Sequence, residues 1–204
     1  TMGINDGASF LEAMVTLRKN PGYVEELLAL QAEFQAGLAA RLLREVHFDA
    51  AIFSEPIASH QSSLISPQMY AELVLPSYDP LIQTLRENGV NTIIWRSYAN
   101  PKLLLPAVLD GDRFDCLWAC ETNSEDMDYL AIRREFGERK ALIGGIDVDW
   151  LYGDPELIPG RVERTVLPLL EQGKYIPLAD GRVRENVDYP RYAIYREALE
   201  RIVG

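Results

Sequence analysis

Phe48-Asp49-Ala50-Ala51-Ile52-Phe53-Ser54 is a short apolar run stopped abruptly by Glu55-Pro56. A short apolar run with a hard polar end is the pattern of a strand buried on both faces. Before it, Asn20-Pro21-Gly22 sets a proline at a helix start. From Tyr23 to Val46 the apolar residues Leu27, Leu28, Leu30, Phe34, Leu38, Leu42 and Leu43 then fall at helical spacing, which predicts one long amphipathic helix feeding one strand.

The same pattern recurs four times. Ser66-Pro67 opens a helix with an N-cap and a first-turn proline; a bend is expected near Pro76 and a stop at Asn88-Gly89, before Thr92-Ile93-Ile94-Trp95. Pro101 to Leu109 reads as helix, Gly111 stops it, and Phe114 to Cys120 is the next strand. Asp126 caps a helix running to Phe136, Gly137 ends it, and Ala141 to Ile146 is the fourth strand. A helix from Pro155 to Gln172, bent by a further proline, closes at Gly173 before the strand Tyr175 to Ala179, and Tyr189 to Val203 forms a terminal helix. Five apolar strands separated by helices predict parallel β/α architecture, because parallel neighbours need crossover connections. An open five-stranded sheet and part of a closed (β/α)₈ barrel share this local pattern. A length of 204 residues favours the open sheet, since a barrel takes about 250.

With 48% hydrophobic and 25% charged residues, the chain reads as one globular α/β domain spanning 1–204, and a chain of this size buries about 70% of its unfolded surface without staples. Its 20 Lys and Arg against 31 Asp and Glu give a net charge of -11, which repels phosphate backbones and argues against a nucleic-acid partner. No apolar run approaches the roughly 20 residues that cross a bilayer, and Thr1 to Phe10 lacks the regions of a secretory signal, so no membrane and a cytoplasmic location are expected. Cys116 and Cys120 lack zinc-ribbon or disulfide spacing and read as reduced core thiols. His47 at a helix end and His60 in a loop do not compose a zinc site, and Tyr189, Tyr192 and Tyr195 read as packing residues of the last helix.

In either architecture ligands bind at the carboxyl ends of the strands. Those ends are Ser54-Glu55-Pro56, Arg96-Ser97-Tyr98, Glu121-Thr122-Asn123, Asp147-Val148-Asp149 and Asp180-Gly181-Arg182. Each supplies an ionisable or hydrogen-bonding side chain, a ring suited to a small-molecule substrate bearing carboxylates and donors. Burial there would raise the pKa of an acid enough to move protons. Glu55 stands out because Pro56 fixes the following turn, and Asp147 because Gly144-Gly145 permits close approach of a backbone or ligand.

Leu64-Ile65-Ser66-Pro67-Gln68-Met69-Tyr70 leading to Leu75-Pro76, then Ala141-Leu142-Ile143-Gly144-Gly145-Ile146-Asp147, then Lys174-Tyr175-Ile176-Pro177 with Asp180 and Asn186-Val187, resemble the uroporphyrinogen decarboxylase superfamily. The resemblance runs in order from about Leu11 to Ile202. It implies a (β/α)₈ TIM barrel of which this chain carries the last five strands, an incomplete barrel. Strands one to three are then absent. The chain reads as a truncated product or natural half-barrel, with the Phe48 and Tyr175 strands as exposed edges that invite self-association or await a missing N-terminal barrel segment.

The resemblance implies a lyase of porphyrin biosynthesis that decarboxylates a tetrapyrrole or related polycarboxylate, with no cofactor or metal required. Asp147, Asp180 and Glu55 are then the candidate catalytic acids. Arg96 and Arg182 are the clamps for carboxylates, and Tyr98, Glu121 and Asp149 the further substrate-binding residues. The superfamily's methyltransferases hold zinc through a His-x-Cys pair after the fifth strand and a later Cys. Here that position reads Arg96-Ser97-Tyr98. Cys116 and Cys120, on one face of one strand about 13 Å apart, cannot replace it. A corrinoid-linked methyltransferase-like enzyme without the thiolate zinc site is one alternative, and a catalytically incomplete half-barrel with a binding role only is another. The chain is closer to the superfamily's uncharacterised branch.

Overall fold

The computed structural model describes residues 7–119, 121–122 and 127–204. The chain divides into two compact units, one formed by Thr1–Ala51 and Ile65–Ile93, the other by Ile52–Leu64 and Ile94–Gly204.

The first unit is helical. α1 (Gly7–Lys19) precedes α2 (Pro21–Leu42), which begins where Asn20 Oδ1 accepts the Tyr23 N–H at 3.3 Å. α1 is absent from the sequence reading, which placed no helix before Asn20. The helix expected from Ser66 to Asn88 is broken into pieces: α3 (Pro67–Met69), a π-helical stretch Tyr70–Val74, α4 (Leu75–Ser77) and α5 (Asp79–Glu87). Proline is the physical cause, since Pro76 has no N–H to give the carbonyl four residues back. The ladder widens before it, with the Leu75 N–H reaching Tyr70 O. The bend expected near Pro76 is therefore a π-turn.

The second unit carries the sheet. β1 (Ala50–Glu55) and β2 (Thr92–Ser97) each start at its boundary, followed by a 3₁₀ turn Lys102–Leu104, α6 (Leu105–Leu109), β3 (Cys116–Ala119), α7 (Tyr129–Phe136), β4 (Ala141–Ile146), α8 (Ile158–Gln172), β5 (Tyr175–Ala179) and α9 (Tyr189–Val203). The strand order is β1-β2-β3-β4-β5, with parallel registers Arg96 to Trp118, Trp118 to Ile143 and Ile143 to Ile176. Strands following one another in chain order form the arc of a barrel. A doubly wound open sheet instead reverses its order at a switch point.

One face of the sheet is closed by helices: Phe53, Trp95, Leu117, Leu142 and Tyr175 are buried. The other is open, with Ile52, Ile176 and Leu178 exposed. β1 is therefore not buried on both faces as its run suggested. It is an edge strand, and nothing among the described residues of this unit covers Ile52. β5 is the opposite edge.

Local signals explain most boundaries. Asp128 caps α7 through the Leu130 N–H at 2.9 Å, whereas the cap was expected at Asp126, which lies outside the described residues. Gly173 (φ 81°) ends α8, and Asp188 caps α9 through the Arg191 N–H. β3 is shorter than its apolar run because Phe114 turns into the core to meet Phe53 edge-on at 5.7 Å. Cys116 is buried, which pushes its thiol up to about 12, with the Asp115 charge adding to the effect; Cys120 lies outside the described residues. Tyr195 is buried and Tyr189 exposed on α9. No helix among the described residues is long and apolar enough to cross a membrane.

Candidate functional site

The polar residues that end the strands of the second unit form two clusters. In the first, Arg96 of β2 stands beside Trp118 of β3 in the same register row. Its guanidinium carbon lies 4.3 Å from the Trp118 ring centroid and 4.8 Å from that of Tyr98. A cation between two rings is held by their quadrupoles, and the planar guanidinium stacks where an ammonium would not. Arg96 Nε is shielded from solvent and has no hydrogen-bond partner among the described residues. The Tyr98 hydroxyl lies 3.3 Å from Ser54 Oγ, which ties the ring to the end of β1. Ser97, on the opposite face and fully buried, donates its hydroxyl to Glu55 O at 3.1 Å.

Asp180 organises the second cluster. It is buried; Oδ2 accepts the Thr122 N–H at 2.6 Å and the Thr122 hydroxyl at 2.8 Å, while Oδ1 accepts the Val148 N–H at 2.9 Å. One carboxylate thus pins the segments that follow β3 and β4 to the end of β5. Burial pushes this carboxyl above the ordinary range, and the hydrogen bonds from Thr122 and Val148 pull against it. Half-buried Asp147 caps the 3₁₀ turn Val148–Tyr152 by accepting the Asp149 N–H at 2.8 Å. Burial is the main cause that raises its carboxyl too. The Asp149 hydrogen bond opposes it, the charges of Asp180 and Asp149 add to it, and Arg161 opposes it.

Raised acids leave a signature in stability. Between the ordinary value of 3.8 and the raised one, the folded state holds more protons than the unfolded state, so stability falls as pH rises through that window. Asp147→Asn keeps an N-cap acceptor and removes one of three neighbouring charges. It is expected to flatten part of this fall and to stabilise the protein at pH 7 by about 0.5 kcal/mol. Urea unfolding of both proteins at pH 4 and pH 7 checks it; a loss of stability at pH 7 would mean that the Asp147 charge is held by attraction.

Gly144 and Gly145 bring the backbone of β4 close to two tyrosines. Their φ angles are 122° and 87°, and the Tyr129 and Tyr175 hydroxyls donate to Ile143 O and Gly144 O at 2.7 and 2.8 Å. A Cβ on Gly145 would lie 3.1 Å from both tyrosines.

The remaining expected residues are more dispersed. Glu55 and Glu121 are half-buried at the ends of β1 and just past β3; Asp149 is exposed beside Asp147. Arg182 is exposed and makes no hydrogen bond or ion pair among the described residues. Asn123 lies outside the described residues. Among these residues, no group of three or more His, Cys, Asp or Glu could hold a metal ion. Trp118 is the part that sequence reasoning left out of the site, and Thr122, though among the strand-end residues, was given no partner. Trp118 sits in an apolar run that reads as core, and only the β2–β3 register sets it against Arg96.

No curated protein matches this chain significantly. The sequence profile described as uroporphyrinogen decarboxylase (URO-D) matches residues 5–177, a span that takes in β1 to β4, the beginning of β5 and both clusters as far as Asp147 and Asp149. That family is built on the TIM barrel, and five parallel strands in chain order with one open face agree with an arc of it. By its sequence and its fold, the chain belongs to the uroporphyrinogen decarboxylase family.

Proposed function

We propose that the strand ends of the second unit bind a tetrapyrrole or related polycarboxylate and support its decarboxylation. The observation that carries this reading is the Arg96 guanidinium stacked between Tyr98 and Trp118, with no carboxylate at ion-pair distance among the described residues. A cation held in place by rings pairs with an incoming carboxylate, and Trp118 and Tyr98 offer apolar area to a pyrrole.

Decarboxylation of a pyrrole acetate needs a proton delivered to the ring carbon. Carbon dioxide then leaves, its bonding electrons passing into the cationic ring; the exocyclic carbon takes a proton to become methyl, and the ring carbon returns its own. Asp147, raised by burial and by two neighbouring acids, is suited to hold and return that proton. Asp180 spends its oxygens on Thr122 and Val148, which suits it to positioning those segments. Glu55, Glu121, Asp149 and Arg182 are the flanking polar groups available to further carboxylates and pyrrole nitrogens.

Titration with uroporphyrin, read by tryptophan fluorescence, tests the binding step, and carbon dioxide release from uroporphyrinogen tests the chemistry. Arg96→Met is expected to weaken binding by about 10- to 100-fold, the loss of a charge-assisted bidentate pair, and Arg96→Lys by less. Equal affinity in Arg96→Met and the parent protein would overturn the carboxylate-clamp reading. Binding without carbon dioxide release would leave a binding role only.

A further inference from the structure

Arg161 lies inside a crossover, away from every strand end, yet the fold returns it to the second cluster. It sits in the first turn of α8, half-buried beside the buried stripe of Ile158, Val162, Val166 and Leu169. From there its side chain reaches back to Gly153, which closes the 3₁₀ turn Val148–Tyr152 that follows Asp147; Nη1 lies 3.8 Å from where a Cβ on Gly153 would stand. Arg161 makes no hydrogen bond or ion pair among the described residues. Arg191 of α9 is the contrast at the same turn. Its Nη1 donates to Leu151 O and Tyr152 O at 3.5 and 3.1 Å, and its Nε lies 3.9 Å from Asp188 Oδ2. With Asp180 accepting the Val148 N–H at 2.9 Å, the turn is held from both sides, and Arg161 stands beside it with its donors open to a ligand.

We infer that Arg161 receives a second carboxylate of the ligand, beside Asp147, while Arg96 holds the first; this rests on the polycarboxylate reading above. A guanidinium takes a carboxylate through two parallel N–H bonds. β2 and β4 are two strand spacings apart in the sheet, about 10 Å, so the ligand carries two carboxylates about that far apart, and a short dicarboxylate engages only one clamp. The contact also bears on the proton. Burial raises the Asp147 carboxyl, and the Arg161 charge draws it back down. The acids that face Asp147 are Asp149 of the same turn and Asp180 after β5, while Arg191 of α9 is turned to carbonyls and to Asp188. A ligand carboxylate on Arg161 cancels the pull of that cation, so Asp147 takes up a proton as the ligand seats. Binding thereby loads the acid that the chemistry needs.

Uroporphyrin binding, read by tryptophan fluorescence, tests the second clamp. Arg161→Met is expected to weaken it at least about tenfold and Arg161→Lys by less, whereas Arg164→Met, exposed on the same helix, should bind as the parent does. The losses in Arg96→Met and Arg161→Met should multiply in the double variant, as for separate contacts. Succinate should displace uroporphyrin no better than acetate at equal carboxylate concentration. Between pH 7 and pH 5 the parent's affinity should rise more steeply than that of Asp147→Asn or Arg161→Met, the porphyrin's own titration being common to all three. Without any ligand, carbon-13 NMR should show the Asp147 carboxyl titrating higher in Arg161→Met than in the parent. Parent-like binding by Arg161→Met, with binding by Arg96→Met weakened, would overturn the second clamp and leave the first. So would an Asp147 titration that Arg161→Met does not move. Uroporphyrin binding that is absent in the parent, or unaffected in both variants, would remove the polycarboxylate reading itself and this inference with it.

Discussion

Arg133→Met is expected to lower the unfolding free energy by about 3–5 kcal/mol, the cost of stranding buried groups that lose a charged partner. Arg133 is buried in α7, where Nη1 donates to Gly137 O at 3.2 Å and Lys140 O at 3.0 Å. Nη2 donates to Gly173 O and Lys174 O, each at 3.1 Å. One guanidinium therefore joins the end of α7 and the lead-in to β4 with the end of α8 and the lead-in to β5. Burial lowers its pKa, the Glu138 charge resists this, and Nε has no partner among the described residues, so the parent protein bears a desolvation cost. The variant bears a larger one, because methionine fills the space while taking a charged donor from four carbonyls, of which Lys174 O keeps the Leu142 N–H at 2.9 Å. For a chain of this size, about 2–4 °C per kcal/mol makes the expected drop in melting temperature about 10 °C. Arg133→Lys should recover part of it, since an ammonium has three donors but no planar fork. A melting temperature within about 2 °C of the parent would mean that water serves the carbonyls equally well.

The second large effect is expected at Asp180. Asp180→Ala removes the acceptor for two N–H groups and a hydroxyl at once, a loss of about 2–4 kcal/mol. Asp180→Asn is expected to recover little, because its NH₂ turns a donor toward groups that are themselves donors. The damage should be local to the segments after β3 and β4. Hydrogen exchange at the Thr122 and Val148 amides should therefore quicken at least about tenfold while the β4 core keeps its protection. Because burial raises the Asp180 carboxyl, its charge opposes folding above the ordinary range, and the Ala variant should lose the corresponding fall of stability with rising pH. Unchanged protection at both amides would show that other contacts hold these segments.

These residues show what could be read in advance. Both arginines and Asp180 are visible in the sequence, and Arg96 and Asp180 follow directly from their places at strand ends. Their partners do not. Thr122 is 58 residues from Asp180, and Arg133 reaches carbonyls on two different crossovers. The acids after β4 and β5 were legible as a polar rim, but which of them stays available and which is consumed by backbone donors was not.

The sequence alone determined the element types and most of their ends: the strands Ala141–Ile146 and Tyr175–Ala179, the helix Tyr189–Val203, the helix start at Pro21, the cap at Ser66 and the stop at Gly173. Those features depend on hydrogen bonds and steric limits within a few residues, which neighbouring side chains fix. Only the tertiary structure decided the order and register of the strands, the open face that leaves Ile52 and Ile176 exposed, and the seating of Arg96 against Trp118. Parallel strands are never joined by a tight turn. Their register is set by how each crossover helix packs, and that packing couples residues far apart along the chain.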